Sequence, residues 1–564
     1  MSAKLAGRFR QTIVVKSLWL TSTLSFFLSG PSVFPQNANV LTQHNDAART
    51  GANLRETQLT PATVKSNFGK LFSLAVDGQI YAQPLVVSGV EIPGKGARNV
   101  VFVATMKNNL YAFDADAPDE DSPFWKRNLG KPVPYEWIPS SLGSAIGLFN
   151  IRPFIGITST PVIDPATAHI WAVAKTVEST STVRYELYCL DIRTGATVAV
   201  SRSIQAGDGP DRLQAQTALQ RPGLLLANGM VYVAFGSHQD AGDYHGWLMA
   251  FDASTLAEKY AFCTTPKDKS GEGGIWQSGN GPAADADGHI YIITGNGSFK
   301  PGQQYGSSFV KLDARLDVRD WFTPSNYKKL NRDDLDPGSA GPMLLPDSKQ
   351  LIGGGKEGLI YLLNRDKLGG LQPQHSVAPA LQELRVSSAW ADTWEGVFDP
   401  TLRYHHIHGS PVYWKSSRRG PLVYIWPERT RLQAYGYKPS GYFSTKPIAL
   451  GPKTPKGMPG GFLSISANGD HDGVLWAATP LYGDAIVTVV QGALRAFDAD
   501  TLEELWSTEV NTPEDIFAFA KFCPPTICNG KVYLATFSDR LNVYGLVPAP
   551  KPLPAWAKPD LRHL

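Results

Sequence analysis

Three of the chain's 11 histidines stand close together, at positions 405, 406 and 408. On a strand, alternate side chains point to the same side at a spacing of about 6.5–7 Å, so His406 and His408 would face the same way. Two imidazoles placed in this way suit a single transition metal, or they could bind an anionic substrate. The alternative is a set of hydrogen-bonded histidines that pack where a strand enters the centre of the fold.

Aromatic and flexible residues flank this histidine cluster. Trp390 and Trp394 precede it, and Met458 begins a Met-Pro-Gly-Gly run that follows it. Together they could cover a pocket with aromatic faces suited to a sugar or to another flat ligand. A metal-dependent hydrolase or lyase that uses His406 and His408 is therefore one hypothesis for this chain.

The four cysteines bear on both folding and redox chemistry. Cys523 and Cys528 flank Pro-Pro-Thr-Ile and could close a small local disulfide loop. The pairing of Cys189 and Cys263 cannot be deduced, and two buried free thiols are the alternative. No Cys-x-x-Cys-His motif occurs in the sequence, so it offers no site for a covalently attached haem.

The N-terminus has the pattern of a secretory signal peptide. Basic residues up to Lys16 precede an apolar stretch of about twelve residues, which small and turn-forming residues near Gly30 follow. A bilayer span needs about twenty apolar residues, so the pattern predicts export rather than a membrane span. We expect cleavage between Gly30 and Asn39 and a periplasmic or extracellular protein. A net charge of +3 without basic runs predicts no nucleic-acid partner.

One short pattern recurs along the chain and decides the fold. It is a strand that ends in an apolar residue, then an aromatic residue or Leu, then most often Asp, before a polar turn. Eight copies occur, and their last residues are Asp114, Asp191, Asp252, Asp313, Asn364, Gly436, Asp498 and Gly545. At 564 residues the chain exceeds the usual limit of about 250–300 residues for one hydrophobic core, which agrees with a repeat array.

Each repeat reads as a meander of about four antiparallel strands. Ahead of most copies, Asn-Gly or Asp-Gly separates two β-rich runs, as at Asn228-Gly229, Asp287-Gly288 and Asn529-Gly530, and such pairs favour type I′ hairpins. A sheet of this kind buries its two faces only when neighbours stack on it radially. The sequence therefore predicts an all-β fold, an eight-bladed β-propeller of four-stranded antiparallel blades.

A strand at residues 68–76 has no unit of its own, and the last repeat is short. We expect this N-terminal strand to complete the last blade and close the ring. The predicted organisation is a signal peptide and leader at 1–38, an N-terminal extension at 39–67, the propeller at 68–547 and a Pro-rich C-terminal tail at 548–564.

The aromatic-Asp repeat lacks the Gly-His and Trp-Asp pairs of the WD type. It resembles the propeller of the alcohol dehydrogenases that depend on pyrroloquinoline quinone (PQQ), over roughly residues 68–547. Two segments add to this resemblance, a Gly-rich one that contains Gly274 and Trp276 and a Thr-Gly-Asn that ends at Asn296. The resemblance implies that Trp276 is the floor under the planar quinone and that the Asn296 carbonyl binds Ca²⁺, roles that suit an indole face and a hard oxygen ligand.

Three further segments are similar to parts of the same family. Asp240 lies one position from the family's metal-binding Glu, so the resemblance implies a second metal ligand there. Asp336 ends an acidic run after Thr-Pro and matches the base that removes the alcohol proton. Lys356, in a Gly-Lys-Glu-Gly segment, matches the cation that contacts the quinone oxygens. The alternatives without a functional role are a solvated acidic loop for Asp336 and a turn lysine for Lys356.

Two departures from the family pattern concern the other side of the quinone. The chain has no adjacent pair of cysteines, and Tyr81 or Gln83 stands where the family has a Glu. The leading hypothesis is an exported PQQ- and Ca²⁺-dependent oxidoreductase, which oxidises a small-molecule alcohol or a carbohydrate and passes electrons to an external acceptor. The main alternative is a non-catalytic propeller that binds a glycan or a cell-envelope partner protein.

Overall fold

The computed structural model describes residues 38–116, 122–138, 150–178, 182–269, 271–372, 380–387, 405–454 and 457–547. Trp390, Trp394, nearly all of the predicted leader and the C-terminal tail lie outside the described residues. Within the described ranges, strands dominate and no helix is both long and apolar enough to cross a membrane.

The described strands form eight antiparallel four-stranded blades, which confirms the predicted eight-bladed β-propeller. The blades are numbered in chain order, and in blades 1 to 7 the four strands follow one another in sequence from the first to the fourth. Blades 1 to 4 comprise Leu85–Ile92, Gly96–Ala104, Asn109–Asp114 and Trp125–Asn128; Val162–Asp164, His169–Val177, Val183–Asp191 and Thr197–Val200; Leu225–Ala227, Met230–Ser237, Trp247–Asp252 and Glu258–Cys263; and Ala283–Ala284, Ile290–Ile293, Phe309–Leu312 and Val318–Thr323. Blades 5 to 8 comprise Met343–Leu344, Gln350–Gly354, Leu359–Asn364 and Gln382–Arg385; Val412–Ser416, Gly420–Ile425, Arg431–Gly436 and Ala449–Lys453; Phe462–Asn468, His471–Pro480, Gly492–Asp498 and Glu504–Ser507; and Thr526–Cys528, Lys531–Ala535, Arg540–Leu546 and Phe68–Ala75.

The fourth strand of blade 8 comes from the N-terminal side of the chain, as predicted. Phe68–Ala75 pairs antiparallel with Arg540–Leu546, from Phe68 opposite Leu546 to Ala75 opposite Arg540. The Phe68 ring also packs on blade 7, with its centroid 5.0 Å from that of Trp476 and 4.9 Å from that of Trp506. The ring is thus closed both by backbone pairing and by an aromatic core between the last two blades.

Smaller elements decorate the blades. Short strands lie at Ala52–Asn53, Val133–Pro134, Phe154–Ile155, Ala218–Leu219, Phe299–Lys300, Gln304–Tyr305 and Gly370–Leu371. The α-helices are Pro61–Asn67, Tyr327–Arg332 and Thr508–Asn511, and the 3₁₀ turns are Tyr135–Trp137, Gly209–Asp211, Gln277–Gly279 and Pro337–Ser339. The first helix begins with a capping box between Thr60 and Thr63 and has Pro61 in its first turn, which together satisfy its free backbone N–H groups.

Two of the three predicted hairpins have the expected turn. Asn228 and Gly229 both have positive φ, at 55° and 70°, and so do Asn529 and Gly530, at 52° and 72°. The type I′ prediction at Asp287-Gly288 was wrong. There only Gly288 has positive φ, and Ala284 pairs with Ile290 across a longer loop, in which the Asp285 carboxylate accepts the His289 N–H at 2.9 Å.

The N-terminal extension follows the first strands of the blades in turn. Val40 bridges to Val86 of blade 1, and the carbonyl groups of Leu41, Ala47, Ala48, Thr50 and Gly51 accept N–H groups at the first strands of blades 2, 4, 5, 6 and 7. Arg49 is fully buried there and donates to the carbonyl oxygens of Gln43, Leu224 and Pro282 at 2.7, 3.1 and 2.9 Å. This segment therefore ties the inner strands of successive blades together, a role that the sequence did not reveal.

The predicted disulfide between Cys523 and Cys528 was wrong. All four cysteines lie in described ranges and all four are free thiols. The two thiols find different partners, because Cys528 Sγ lies 2.9 Å from the carbonyl oxygen of Ala38 and Cys523 Sγ lies 3.8 Å from that of Pro524. Burial raises the pKa of the Cys523 thiol to about 12, which keeps it protonated and unreactive at neutral pH.

The antiparallel meander decides which loops meet. Because strand direction alternates, the loop between the second and third strands of a blade and the connection from its fourth strand to the next blade lie at the same end of the ring. Asp240, Asn296 and Lys356 follow the second strands of blades 3, 4 and 5, whereas Trp276 and Asp336 lie in the connections that leave blades 3 and 4. Residues far apart in sequence thus share one face of the propeller.

Candidate active site

A cavity of about 280 Å³ opens on this face. Its volume is close to the lower end of the range of about 300–1,000 Å³ that is usual for small-molecule sites. Nine of the residues singled out in the sequence line it: Tyr81, Asp240, Gly274, Trp276, Asp336, Lys356, His406, His408 and Met458.

Trp276 presents a half-buried indole to the cavity. The indole packs beside Phe522 and His408, whose ring centroids lie 6.1 and 5.7 Å from its own. The preceding Gly274 allows close packing, because a Cβ there would lie 3.2 Å from the Cα of Gly236 and 3.3 Å from the Tyr244 ring. The structure thus gives Gly274 a packing role at the cavity wall and gives Trp276 an aromatic surface beside it.

Lys356 and Asp336 form an ion pair at the cavity wall. Lys356 Nζ lies 2.7 Å from Asp336 Oδ2 and 2.9 Å from Asp334 Oδ1, and it also lies 5.7 Å from the centroid of the Trp276 ring. Burial would raise the pKa of the Asp336 carboxyl, but the Lys356 charge and the hydrogen bonds to this carboxylate bring the pKa below its usual range. Asp336 is therefore held ionised in the wall of the cavity.

Asn296 joins this group through both its backbone and its side chain. Its N–H donates to Asp336 Oδ1 at 2.7 Å, and its side-chain Nδ2 donates to Asp334 Oδ1 at 3.0 Å. The remaining amide oxygen, Oδ1, is buried without a hydrogen-bond partner among the described residues. A buried carbonyl oxygen beside two carboxylates is a ready ligand for a hard cation.

More acidic groups surround this oxygen than the sequence had suggested. The pKa of Glu272 is raised to about 7, first by burial and then by the charges of Asp240, Asp336 and Asp334. The pKa of Asp334 is raised to about 6, first by burial, while Lys356 lowers it and Asp336 raises it. Among the described residues, Lys356 is the one cation bonded to these carboxylates. The group therefore has more negative than positive charge, and its carboxylates repel one another.

Asp240 follows the second strand of blade 3 in a strained turn. It has a φ of +52°, and its Oδ1 accepts hydrogen bonds from the Tyr244 hydroxyl at 2.7 Å and the Ser237 hydroxyl at 3.3 Å. A non-glycine residue in this left-handed region costs about 1 kcal/mol or more, and the two hydrogen bonds hold it there. The turn thus aims the carboxylate into the cavity, next to the acidic group around Asn296.

Cationic groups line another part of the cavity. Arg221 is fully buried, with its guanidinium carbon 5.3 Å from the Tyr81 ring centroid and 5.6 Å from that of Phe522. Lys521 donates to the carbonyl oxygens of Ala485 and Ile486 at 3.0 and 2.6 Å. Burial lowers the pKa of Lys521 to about 7, and the Arg221 charge adds to this effect. The sequence had not pointed to either cation.

Tyr81 and Gln83, the two candidates for the position where the family has a Glu, lie in different environments. Tyr81 lines the cavity, where the Arg221 guanidinium covers its ring. Gln83 is buried instead, and it accepts the backbone N–H of His44 at 3.0 Å and donates to Thr526 Oγ1 at 3.1 Å. Tyr81 therefore belongs to the site, whereas Gln83 ties the N-terminal extension to blade 8.

The histidine cluster is not part of a strand, contrary to the prediction. Residues 405–408 have no strand assignment, because the first strand of blade 6 begins only at Val412. His406 and His408 nevertheless face the cavity, and their ring centroids lie 5.6 Å apart. Glu428, which follows the second strand of blade 6, completes a group with them. A single glutamate after a strand has no local signature, so the sequence did not point to Glu428.

No protein-family model matches this chain, and no curated protein sequence matches it. The chain is similar in fold to solved structures of quinoprotein dehydrogenases. A quinohemoprotein alcohol dehydrogenase from Comamonas testosteroni has a TM-score of 0.57 at 15% identity, over 91% of this chain and 82% of that one. One from Pseudomonas putida HK5 has a TM-score of 0.55 at 15% identity, with the same coverage. A europium-containing methanol dehydrogenase has a TM-score of 0.55 at 13% identity, over 90% of this chain and 98% of that one.

Proposed function

We propose that this protein is a quinoprotein-type oxidoreductase, which oxidises a small alcohol or a carbohydrate with PQQ and Ca²⁺ and passes the electrons to a separate acceptor. The observation that carries the proposal is the convergence of Trp276, Asp336 and Lys356 on one cavity, next to the unpaired Asn296 Oδ1. These four residues come from the loops of two blades and from two connections between blades. Fold similarity to dehydrogenases at 13–15% identity supports the proposal only at the level of the architecture.

The lining residues fit a flat, polyanionic cofactor. PQQ is a planar fused-ring quinone with carboxylates at its periphery, so its ring system needs an aromatic surface and its edge needs cations. The Trp276 indole supplies the surface. Arg221, Lys356 and Lys521 supply three cationic groups, all of which line the same cavity. The aromatic and cationic character of the wall thus matches both parts of the cofactor.

The acidic side of the cavity fits Ca²⁺. A hard divalent cation takes oxygen ligands, mainly carboxylates and amide carbonyls. Asn296 Oδ1 has no hydrogen-bond partner among the described residues. The carboxylates of Asp240, Asp334 and Asp336 place negative charge near it. We infer that Asn296 and Asp240 hold the cation, together with an oxygen of Asp334 or Asp336.

The chain's own residues would handle the substrate proton. When bound, PQQ would accept the hydrogen of the alcohol carbon together with its two bonding electrons, and Ca²⁺ would polarise the quinone. Asp336 is ionised at neutral pH and takes the hydroxyl proton of the alcohol. Lys356 Nζ and the Asn296 N–H each hold one oxygen of the Asp336 carboxylate, so they fix its direction while it does so. Phe522 and Met458 add apolar surface to the lining of the same cavity.

Steady-state assays test this function. Purified protein with added PQQ and Ca²⁺ is expected to reduce an artificial electron-accepting dye when primary alcohols or aldose sugars are present. The activity should require PQQ, Ca²⁺ and the alcohol or sugar together. A protein that binds PQQ but reduces no dye with any substrate of a broad alcohol and sugar panel would contradict the proposed oxidoreductase activity.

We also propose that the protein is exported. The support is the basic and apolar pattern of the first 38 residues, which lie almost entirely outside the described part of the chain. Mass spectrometry of the protein from a host's periplasmic or culture fraction is expected to show a new N-terminus between Gly30 and Asn39. An intact N-terminus on protein that remains in the cytoplasm would contradict export.

A further inference from the structure

Beside the acidic group, the cavity wall contains a second set of possible metal ligands of different chemistry. His406, His408 and Glu428 each offer one ligand atom, and these three atoms all lie within 4.8 Å of one another. The histidines come from the connection between blades 5 and 6, and Glu428 comes from the loop after the second strand of blade 6. All three line the cavity, so an ion held there would face its interior.

Two of these ligand atoms have no hydrogen bond. His408 Nε2 and Glu428 Oε1 lie 3.0 Å apart, yet their alignment is not that of a hydrogen bond, and neither atom has a hydrogen-bond partner among the described residues. His408 is 0% exposed and Glu428 is 6% exposed, so water does not satisfy them from bulk solvent. A buried polar atom without a hydrogen bond destabilises the fold, and here two of them face each other.

A shared cation explains this arrangement. Two ligands of one ion lie side by side, and each is aimed at the ion rather than at the other. Ligand atoms at about 2.1 Å from a tetrahedral zinc ion lie about 3.4 Å apart, which is close to the separation of His408 Nε2 and Glu428 Oε1. The other ring nitrogen of His408 lies 3.4 Å from the Ser278 hydroxyl, a contact that would orient the imidazole from behind.

The geometry points to a site for a divalent transition metal of the zinc class, with His406, His408 and Glu428 as its ligands. Two imidazoles and one carboxylate are the donor set of many zinc and non-haem iron sites, whereas Ca²⁺ prefers oxygen ligands only. Three protein ligands leave at least one coordination position for water or for an oxygen atom of a ligand in the cavity. The cavity would therefore hold two cations of different hardness, one at the acidic group around Asn296 and one at the histidines.

A second group of carboxylates and a histidine, formed by Asp285, Asp287 and His289, serves as a contrast. The Asp285 carboxylate already has hydrogen-bond donors, because it accepts the backbone N–H of His289 at 2.9 Å and the Tyr291 hydroxyl at 2.8 Å. Arg365 also lies 3.6 Å from it. This group needs no ion, so it provides a matched control for metal binding at surface histidines.

Metal binding by the untagged, chelator-treated protein tests the inference without PQQ. We expect one equivalent of Zn²⁺ to bind, and one equivalent of Co²⁺ to give visible absorption bands that an excess of Ca²⁺ leaves unchanged. The variants His408→Ala and Glu428→Gln should each weaken binding by more than about 100-fold, because loss of an outer partner alone costs about 10- to 100-fold. His289→Asn should bind the metal as the unchanged chain does.

Several results would overturn the inference. They are the absence of stoichiometric Zn²⁺ binding, binding that survives both His408→Ala and Glu428→Gln, and binding that His289→Asn abolishes. Since His408 is buried, its removal could affect folding, so the half-buried His406→Asn provides a second variant, and thermal unfolding establishes that each variant is folded. The result does not depend on the proposed oxidoreductase activity, because Zn²⁺ binding and PQQ binding are measured separately.

Discussion

Lys356 Nζ lies 2.7 Å from Asp336 Oδ2 in the wall of the central cavity, and the backbone N–H of Asn296 occupies the other oxygen of the same carboxylate at 2.7 Å. The three residues come from the loops of blades 4 and 5 and the connection between these blades. A carboxylate held at both oxygens is fixed in charge and in direction, which is what a base needs for a bound alcohol.

Removal of the Asp336 carboxylate should abolish turnover but keep the site. In Asp336→Asn the amide has nearly the same shape but cannot take the substrate proton, so the rate of dye reduction should fall at least about 100-fold. PQQ affinity should change much less. The control is Asp333→Asn, since Asp333 pairs with Lys329 at 3.1 Å and does not line the cavity. Equal activity of the two variants would contradict the role of Asp336.

The indole of Trp276 should contribute directly to cofactor affinity. Aromatic stacking contributes about 0.5–1.5 kcal/mol beyond burial, so Trp276→Leu should raise the Kd for PQQ about tenfold. Trp321→Leu serves as a control, because that half-buried indole packs on Tyr305 at 5.8 Å between ring centroids, away from the cavity. Fluorescence titration with PQQ measures both affinities. A Kd that both variants change equally would argue against a stacking surface at Trp276.

Calcium should stabilise the protein through Asn296 and Asp240. Ligand binding to the folded state raises its stability by about 2.7 kcal/mol at a hundredfold excess over Kd, so added Ca²⁺ should raise the Tm of the unchanged chain. Asp240→Asn and Asn296→Ala should lose most of this rise. Asp243→Asn should keep it, because Asp243 is exposed and lies 4.0 Å from Lys269. A Ca²⁺-dependent Tm that is the same in all four proteins would contradict the assigned ligands.

Cofactor binding should weaken above about pH 7. The pKa of Lys521 is lowered to about 7 by burial and by Arg221, whereas Asp484 opposes this shift. Below this pH Lys521 is a cation that attracts a carboxylate, and above it the neutral amine does not, so the Kd for PQQ should rise with pH through 7. Titrations at pH 6 and pH 8 should show this dependence in the unchanged chain, and Lys521→Met should remove it. An equal dependence in Lys521→Met would assign it to another group.

The N-terminal extension should matter for the stability of the whole ring. Arg49→Met would leave the carbonyl oxygens of Gln43, Leu224 and Pro282 without their donor, at a cost of about 3 kcal/mol or more. Chemical denaturation should show this loss as a lower midpoint. The exposed Arg55→Met should unfold at the same midpoint as the unchanged chain. Equal midpoints for both variants would contradict a structural role of the Arg49 network.

The repeat pattern predicted the propeller because its signals are local. Alternating apolar residues and Asn-Gly turns specify strands and hairpins within a few residues, and eight copies then specify the ring. The closing strand at Phe68–Ala75 could be predicted because it was the one strand without a unit. The path of residues 38–56 could not, because backbone hydrogen bonds, which side-chain patterns do not encode, join it to six of the blades, and the Asn53 side chain joins it to blade 8.

The site was predictable only where a residue type is distinctive in its local context. Trp276, Asp336 and Lys356 stood out from motifs, and the structure places them on one cavity. Arg221 and Glu428 did not, since a single charged residue after a strand has no local signature. Their position at the cavity follows from which loops share one face of the ring. That can be worked out only when the number and order of the blades are known. The Cys523–Cys528 disulfide failed because sequence spacing does not determine where a thiol points.

The central claim is that this cavity binds PQQ, and equilibrium binding tests it most directly. PQQ is titrated into the purified protein in Ca²⁺ and in a calcium chelator, with the bound cofactor measured by its absorption after rapid gel filtration. The account predicts one PQQ per chain at micromolar concentration in Ca²⁺ and markedly weaker binding in the chelator. No bound PQQ at micromolar concentration, with Ca²⁺ present and the protein folded, would contradict it.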